Sequence, residues 1–269
     1  MMVLLVRKMK LSRRYKLFLG DCLEVMKKIP DKSIDMILCD LPYGTTACKW
    51  DTVIPFEPLW EQYKRIIKNK GAIVLFGNEP FSSNLRCSNL EMYRYDWIWN
   101  KNYGTDFQLA KLRPMRSHEL ISIFSKAKTA NGAKENMNYY PQKTPLKKPV
   151  KNGGKPTTKL LHENNMKKLD KVYYDKSPLT IIEFPPVFNT KNNPRFHPTQ
   201  KPVALLEYLV KTYTNENDIV LDNCMGSGST GVACMNLNRK FIGIEKEEKY
   251  FNIAKERIEK AEKEYNERT

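Results

Sequence analysis

The sequence predicts an α/β fold in which a doubly wound, mostly parallel sheet carries an inserted region. Short apolar runs such as Ile34–Cys39 alternate with amphipathic stretches of helical period, which is typical of βαβ units. Several of these runs end at an acidic residue or a glycine, as strands do where a sheet of this class binds ligands. A long lysine-rich stretch without a sustained apolar period separates the two series of elements.

The first series of elements occupies residues 15–125. Strands are expected at Tyr15–Leu19, Ile34–Cys39, Ala72–Phe76, Tyr93–Trp99 and Glu119–Phe124. Helices are expected at Leu23–Ile29, Leu59–Ile67 and Phe81–Leu90. Residues 45–58 have no clear period and predict a loop over a site at the strand ends.

The second series occupies residues 195–262. A helix with an apolar face follows the segment His197–Pro202, whose prolines are tolerated at or before a first helical turn. Strands are expected at Ile219–Leu221 and Phe241–Ile244, each followed by a helix. The two series together predict one large domain, which a chain of 269 residues with 41% hydrophobic content can support.

The composition indicates a polyanionic partner, because the net charge is +16 and the isoelectric point is near 9.4. A membrane protein is the competing explanation, but no apolar run approaches the roughly 20 residues that a spanning helix needs. The six cysteines form no CxxC pair and the three histidines are scattered, so neither a metal site nor a disulfide framework is expected. We therefore expect a cytoplasmic protein with reduced thiols.

The lysine-rich stretch begins near Lys126 and defines an inserted region that we place at residues 126–194. Residues 126–176 contain 13 lysines, no arginine and four acidic residues, together with two tyrosine pairs. Lysines interleaved with aromatic residues suit phosphate contact and stacking on bases or sugars. The alternative is a solvated insertion without such a partner. The lysines expected to contact nucleic acid are Lys143, Lys147, Lys148, Lys151 and Lys155.

A first candidate site follows the buried strand Ile34–Cys39. The strand stops at Asp40-Leu41-Pro42-Tyr43-Gly44, which places a carboxylate and an aromatic ring at the strand end, where such a sheet binds its ligands. The alternative is an ordinary turn, since Asp, Pro and Gly are common in turns. This segment alone does not decide between the two.

A second candidate site is the glycine-rich segment Gly226–Gly231. It has the pattern GxGxxG, follows one predicted strand, and precedes a helix and a further strand that ends at Glu245. Such glycines permit a tight turn and close approach of a ligand to the backbone, while the acid accepts hydrogen bonds from ribose hydroxyls. The alternative is a flexible turn. The complete strand–loop–helix–strand–acid context favours a nucleoside-binding unit.

The position of this unit in the chain predicts how the sheet is assembled. Only 24 residues follow Glu245, so the remaining strands are expected from the N-terminal half, which brings Asp40 and the glycine-rich segment to neighbouring strand ends. That arrangement suits group transfer between a nucleoside cofactor and a substrate held at Asp40. A nicotinamide-dependent oxidoreductase is a remote alternative, because it explains the glycines and Glu245 but neither the Asp40 turn nor the lysines.

These motifs resemble those of the amino-methyltransferases that act on DNA. Asp40-Leu41-Pro42-Tyr43 is similar to their (Asp/Asn/Ser)-Pro-Pro-(Tyr/Phe/Trp) catalytic motif, with Leu41 in place of the usual proline. The order of catalytic motif, recognition region and cofactor motif is that of the permuted β group. The resemblance covers residues 15–125 and 195–262, and the lysine-rich region occupies the position of the family's target-recognition region.

The resemblance implies a circularly permuted class I methyltransferase fold, S-adenosylmethionine as cofactor and duplex DNA as partner. Asp at the first motif position implies methylation of the exocyclic amine of a flipped-out adenine; cytosine, RNA or a protein amide are the alternative acceptors. The implied catalytic residues are Asp40, Leu41, Pro42 and Tyr43. The implied cofactor-binding residues are Asp21, Asp40, Thr199, Lys201, Asp222, Asn223, Met225, Gly226, Ser227, Gly228 and Glu245. A restriction endonuclease as partner, a role in restriction–modification, and a homodimer are left open.

Overall fold

The computed structural model describes residues 14–45, 51–152, 171–190 and 195–268. The chain divides into two compact units, one formed by residues 1–140 and 180–269 and the other by residues 141–179. The predicted nucleic-acid contact Lys155 lies outside the described residues. None of the helices in the described ranges is long and apolar enough to cross a membrane.

The first unit is built on one sheet, to which the described residues contribute eight strands. They are β1 (Tyr15–Leu19), β2 (Ile34–Cys39), β3 (Ile67–Gly77), β4 (Tyr93–Thr105), β5 (Arg116–Phe124), β8 (Ile181–Glu183), β9 (Ile219–Asp222) and β10 (Lys240–Glu245). Their spatial order is β1-β10-β9-β2-β3-β5-β4-β8. Only β5 runs against the others, which confirms the prediction of a mostly parallel sheet.

Six α-helices within the described residues cover the two faces of this sheet. They are α1 (Cys22–Met26), α2 (Phe56–Ile66), α3 (Phe81–Cys87), α4 (Val203–Tyr213), α5 (Ser229–Asn236) and α6 (Glu248–Arg268). Buried side chains of α1, α2 and α3 join one apolar cluster, and those of α4, α5 and α6 join the other. Every residue of β2 is buried, as expected for a strand covered on both faces. The fold is therefore doubly wound, as predicted.

Both ends of the chain contribute to the sheet. β1 pairs with β10, with Tyr15 opposite Phe241, and β2 pairs with β9, with Met36 opposite Val220. The predicted assembly of the sheet from both parts of the sequence is confirmed. The segment before α2 is shorter than expected, because α2 begins at Phe56 rather than Leu59 and adds a turn that packs Phe56 against Phe81.

The second unit contains the antiparallel strands β6 (Thr144–Asn152) and β7 (Lys171–Lys176). It is shorter than the predicted inserted region 126–194. Residues on both sides of it belong to the first unit: the Tyr140 amide donates to the Thr212 carbonyl at 2.7 Å, Met137 is buried in the core, and β8 pairs with β4. These flanks carry core residues among their lysines, which composition alone does not distinguish.

Candidate active site

A cavity of about 500 Å³ lies at the carboxyl ends of four neighbouring parallel strands, β1, β10, β9 and β2. Its lining includes Asp21 after β1, Asp40 after β2, Asp222 at the end of β9 and Glu245 at the end of β10. Strand ends of this kind are where doubly wound sheets bind ligands. The two candidate sites of the sequence thus share one cavity.

Almost every predicted site residue of this unit contributes to the cavity wall. Those that do are Asp21, Asp40, Leu41, Pro42, Tyr43, Thr199, Lys201, Asp222, Asn223, Met225, Gly226, Ser227 and Glu245. Gly228 does not line it. This glycine caps α5 with φ +77°, and a Cβ there would lie 2.8 Å from the Cβ of Ala254. The structure thus gives Gly228 a packing role against α6, and the prediction that it contacts the cofactor gains no support.

Asp40 is the centre of a buried polar cluster on one side of the cavity. One carboxylate oxygen, Oδ2, accepts from Nζ of Lys201 at 2.5 Å, and the other accepts from the hydroxyl of Tyr43 at 2.5 Å. Lys201 Nζ also lies 3.2 Å from Oε2 of Glu119. A carboxylate offers about four acceptor positions, so Asp40 keeps acceptor capacity for a substrate N–H group.

The same cluster shifts the pKa values of its members. Burial raises the pKa of Asp40, although the Lys201 ammonium acts in the opposite direction. Burial also acts to raise the pKa of Glu119, but the ammonium groups of Lys201 and Lys101 outweigh it and lower that pKa. The pKa of Lys201 is raised because its two carboxylate partners outweigh the effect of burial. Lys201 therefore stays charged and helps to keep Asp40 ionised.

Sequence reasoning missed Glu119. It lies near the start of β5, lines the cavity, and accepts from Nζ of Lys101 at 2.6 Å as well as pairing with Lys201. The one signal in the sequence is a carboxylate beside the apolar run that continues to Phe124. Sequence reasoning also assigned Lys201 to the cofactor carboxylate; the structure places its ammonium on Asp40 and Glu119 instead, and the cofactor contact stays a prediction.

The other side of the cavity is formed by the loop between β9 and α5. Glu245 holds this loop, because its Oε2 accepts from the Gly226 amide at 2.8 Å and its Oε1 from the Glu247 amide at 2.8 Å. Burial raises the pKa of Glu245, and these backbone amides oppose that effect. Each oxygen retains a further acceptor position. Gly226 has φ +50°, a conformation that favours glycine.

Asp222 and Asn223 fix the base of the same loop. The Asp222 carboxylate accepts from the hydroxyl of Thr230 at 2.7 Å and from the Cys224 amide at 3.1 Å. Burial raises the pKa of Asp222 to about 7. Asn223 accepts from the hydroxyl of Tyr63 at 2.5 Å. Both side chains are thus largely committed to holding the loop.

Asp21 and Thr199 lie at the rim of the cavity. Asp21 caps α1 by accepting from the Leu23 amide at 2.9 Å, and its carboxylate remains about half exposed. The Thr199 hydroxyl is 3.0 Å from Nδ1 of His197. Burial lowers the pKa of His197 to about 4, so this imidazole is neutral at physiological pH.

The second unit, considered by itself, presents a basic surface. Lys143, Lys147, Lys148 and Lys151 are all exposed on or beside β6. Lys143 forms an ion pair with Asp175 at 3.0 Å. These four lysines are the described members of the set predicted to contact phosphate, and that role stays a prediction.

Solved structures with a similar fold include M1.HpyAVI in complex with SAM, with a TM-score of 0.58, 24% identity, and coverage of 91% of this chain and 98% of that one. Another is the cytosine-N4-specific PvuII DNA methyltransferase, with a TM-score of 0.63, 16% identity, and coverage of 94% and 91%. At these identities the likeness shows the fold alone.

Curated relatives and a family model place the sequence more closely. The type II methyltransferase M.HpaI of Haemophilus parainfluenzae is 30% identical over 91% of this chain and 74% of its own length. The DNA adenine methyltransferase YhdJ of Escherichia coli K12 is 29% identical over 90% of this chain and 82% of its own. The DNA methylase model for N6 and N4 methyltransferases matches residues 34–256. This chain therefore belongs to the DNA methylase family of N6 and N4 methyltransferases.

Proposed function

We propose that this protein transfers a methyl group from S-adenosylmethionine to the exocyclic N6 amine of a flipped-out adenine in duplex DNA. The observation that carries the proposal is the single cavity that holds Asp40 and Tyr43 on one side and the Gly226 loop with Glu245 on the other. A donor bound on one side and an acceptor bound on the other meet within that cavity.

The chemistry of the cofactor side fits an adenosyl group. The Glu245 carboxylate lines the cavity and keeps acceptor capacity for ribose hydroxyls, and Asp21 offers a partly exposed carboxylate at the adjoining strand end. Gly226 places backbone without a side chain at the wall. The cavity volume is within the range of small-molecule and cofactor sites. When bound, S-adenosylmethionine supplies an electrophilic methyl group.

The acceptor side activates a weak nucleophile. The lone pair of an aromatic exocyclic amine is delocalised into the ring. The carboxylate of Asp40 and the carbonyl of Leu41 can accept hydrogen bonds from the two N–H groups of this amine. These bonds draw the nitrogen towards tetrahedral geometry. The negative charge of Asp40 also stabilises the positive charge that develops on this nitrogen, a preorganised electrostatic effect. The ring of Tyr43, held 4.9 Å from that of Phe81, offers a surface on which the base can stack.

A base inside a duplex does not reach a cavity of this kind, so the target nucleotide has to leave the helix. The exposed lysines of β6 support a role for the second unit in holding the phosphate backbone. The net charge of +16 supports the same partner. Leu41 in place of proline retains the backbone carbonyl, although its φ is less restricted.

Adenine is proposed as the acceptor because Asp occupies the first position of the catalytic motif and because a relative named as a DNA adenine methyltransferase aligns over most of the chain. The physical preference is small, since both adenine and cytosine present an amine with two N–H donors. The larger purine gives Tyr43 more stacking area, within the roughly 1–3 kcal/mol that base–aromatic stacking contributes.

The test is to incubate the protein with duplex DNA and methyl-labelled S-adenosylmethionine, digest the DNA to nucleosides and separate these by mass. We expect the label in N6-methyldeoxyadenosine. Label only in deoxycytidine would refute the choice of base, and label in RNA or protein but not in DNA would refute the substrate class. Asp40→Ala serves as the control for activity from contaminants.

The cellular setting is inferred from the relatives. The curated relatives named above are bacterial proteins, which supports a cytoplasmic enzyme that meets DNA directly. A restriction endonuclease as partner and a homodimer stay predictions. Co-purification from the source cells and sedimentation of the pure protein test them.

A further inference from the structure

The turn that joins β4 to β5 presents four large apolar side chains to solvent. Phe107 and Leu112 are 81% and 83% exposed, and Leu109 and Met115 are 38% and 47% exposed. We call these four residues the apolar tip. Large apolar side chains grouped at one exposed place mark interaction sites more often than scattered ones do.

The apolar tip is held in place by contacts within the turn. The Thr105 hydroxyl donates to the Arg116 carbonyl at 3.0 Å, and Arg113 pairs with Asp106 at 2.8 Å. The Leu112 amide donates to the Leu109 carbonyl at 2.8 Å. These contacts stabilise the turn in a conformation that exposes the side chains of Phe107 and Leu112 to solvent.

The apolar tip lies beyond the carboxyl end of β4, at the same end of the sheet as the active site. β4 runs in the direction of the parallel strands, so its last residue, Thr105, lies at their carboxyl edge. β5 pairs with β3 only from Leu120 onward, and the residues before it extend beyond β3. Glu119, the residue just before this pairing, lines the cavity. The hairpin thus rises from the wall of the active site and ends in the apolar tip.

The charges around the tip suit a polyanion. Residues 101–116 contain four basic side chains and one acid, a net charge of +3. The four are Lys101, Lys111, Arg113 and Arg116. A second copy of this chain would bring the same basic turn and a net charge of +16, so charge complementarity favours DNA over self-association.

We propose that the apolar tip enters the DNA duplex next to the target base and occupies the space that the base leaves when it moves into the active site. This inference rests on the proposed function. Apolar side chains inserted between base steps unstack them and kink the duplex. Taking a base out of the stack is least costly where it is already mispaired or single-stranded. The apolar tip is therefore expected to be needed for methylation of a paired target base, and not for a mispaired or single-stranded one.

The test compares the double variant Phe107→Ala/Leu112→Ala with the wild type on three DNA substrates. The target site is first mapped by sequencing methylated DNA from expressing cells. Duplexes are then made with the target base paired, mispaired, or in a single strand. The matched control is Leu90→Ala, which removes a side chain that is 65% exposed and lies just before the start of β4, at the other end of that strand.

We expect the double variant to methylate the paired duplex at least about tenfold more slowly than the wild type, and the mispaired duplex and single strand within about threefold of it. A fluorescent base analogue at the target position should show less extrusion in the paired duplex. The Leu90→Ala variant should match the wild type on all three. Single variants at Phe107 and Leu112, each of which leaves the other side chain in place, should give intermediate losses.

Three results would overturn the proposal. One is a double variant as active as the wild type on the paired duplex. Another is an equal loss on paired and unpaired substrates, which would indicate a general defect. The last is a wild-type dimer that the double variant dissociates, which would assign the tip to a second copy. Failure of the proposed function is separate, because it would leave the wild type inactive on all three substrates.

Discussion

Replacement of Lys201 by methionine removes the cation next to Asp40, an ammonium group that also lies 5.0 Å from the centre of the Phe76 ring, and keeps an unbranched apolar side chain at this position. The Coulomb attraction across the 2.5 Å contact is about 7 kcal/mol at an effective dielectric constant of about 20. Desolvation of the two charges offsets much of this energy. Glu119 has a second cationic partner, Lys101, at 2.6 Å, so we expect the substitution to leave Asp40, rather than Glu119, without a neighbouring cation.

The expected result is a change in the pH dependence of methyl transfer. Burial already raises the pKa of Asp40, and Lys201 lowers it, so the loss of Lys201 raises that pKa further. An adjacent opposite charge typically shifts a pKa by about 1–3 units, which corresponds to about 1.4–4 kcal/mol. Because only the ionised Asp40 accepts the target amine, the acid limb of the rate profile should move to higher pH by about 1–3 units.

The assay is single-turnover transfer of labelled methyl to DNA between pH 5 and 9, with calorimetric titration of S-adenosylmethionine alongside it. Lys246→Met is the matched control, since Lys246 lines the same cavity but is exposed and lies 4.0 Å from Asp21. A Lys201→Met profile that overlays the wild type, together with a large loss of cofactor affinity, would refute the reasoning. Lys201 would then serve the cofactor carboxylate, as its place in the sequence motif predicts.

Three further predictions concern other parts of the molecule. Asp40→Ala should abolish methyl transfer with nearly unchanged cofactor affinity, whereas Glu245→Ala should weaken cofactor binding by about 1–3 kcal/mol; equal calorimetric losses would contradict this division. Gly228→Ala should destabilise the fold by about 1–3 kcal/mol in denaturant unfolding, because it combines a positive φ with a 2.8 Å approach to Ala254. Gly132→Ala, at φ +78° in open space, isolates the cost of the positive φ, and equal destabilisation in the two variants would exclude the packing contribution. Alanine in place of Lys147, Lys148 and Lys151 should reduce the slope of log DNA affinity against log salt concentration by about 0.9 for each phosphate that is no longer neutralised. An unchanged slope would indicate that this region is a solvated insertion that does not contact DNA.

Local sequence patterns were enough to predict those site residues that directly follow a single strand. The run Ile34–Cys39 is apolar apart from Asp35, as suits a strand covered on both faces, so the end of the strand at Asp40 could be predicted from the sequence. The Gly226–Gly231 pattern and Glu245 lie close together in the sequence, and their spacing predicts a nucleoside-binding unit. The expected neighbouring positions of Asp40 and the glycine-rich segment are confirmed by the parallel pairing of β2 with β9.

The tertiary structure decided what depends on contacts between distant segments. Lys201 is 161 residues from Asp40 in sequence. No local pattern indicates that its ammonium group contacts the carboxylates of both Asp40 and Glu119. Gly228 has the same place in the motif whether it faces a ligand or a helix, and only the packing of α6 assigns it to Ala254. The compact unit of residues 141–179 is shorter than the inserted region expected at residues 126–194. Lysine content reports solvent exposure of side chains, whereas the bounds of a compact unit depend on which backbone segments pair with the main sheet.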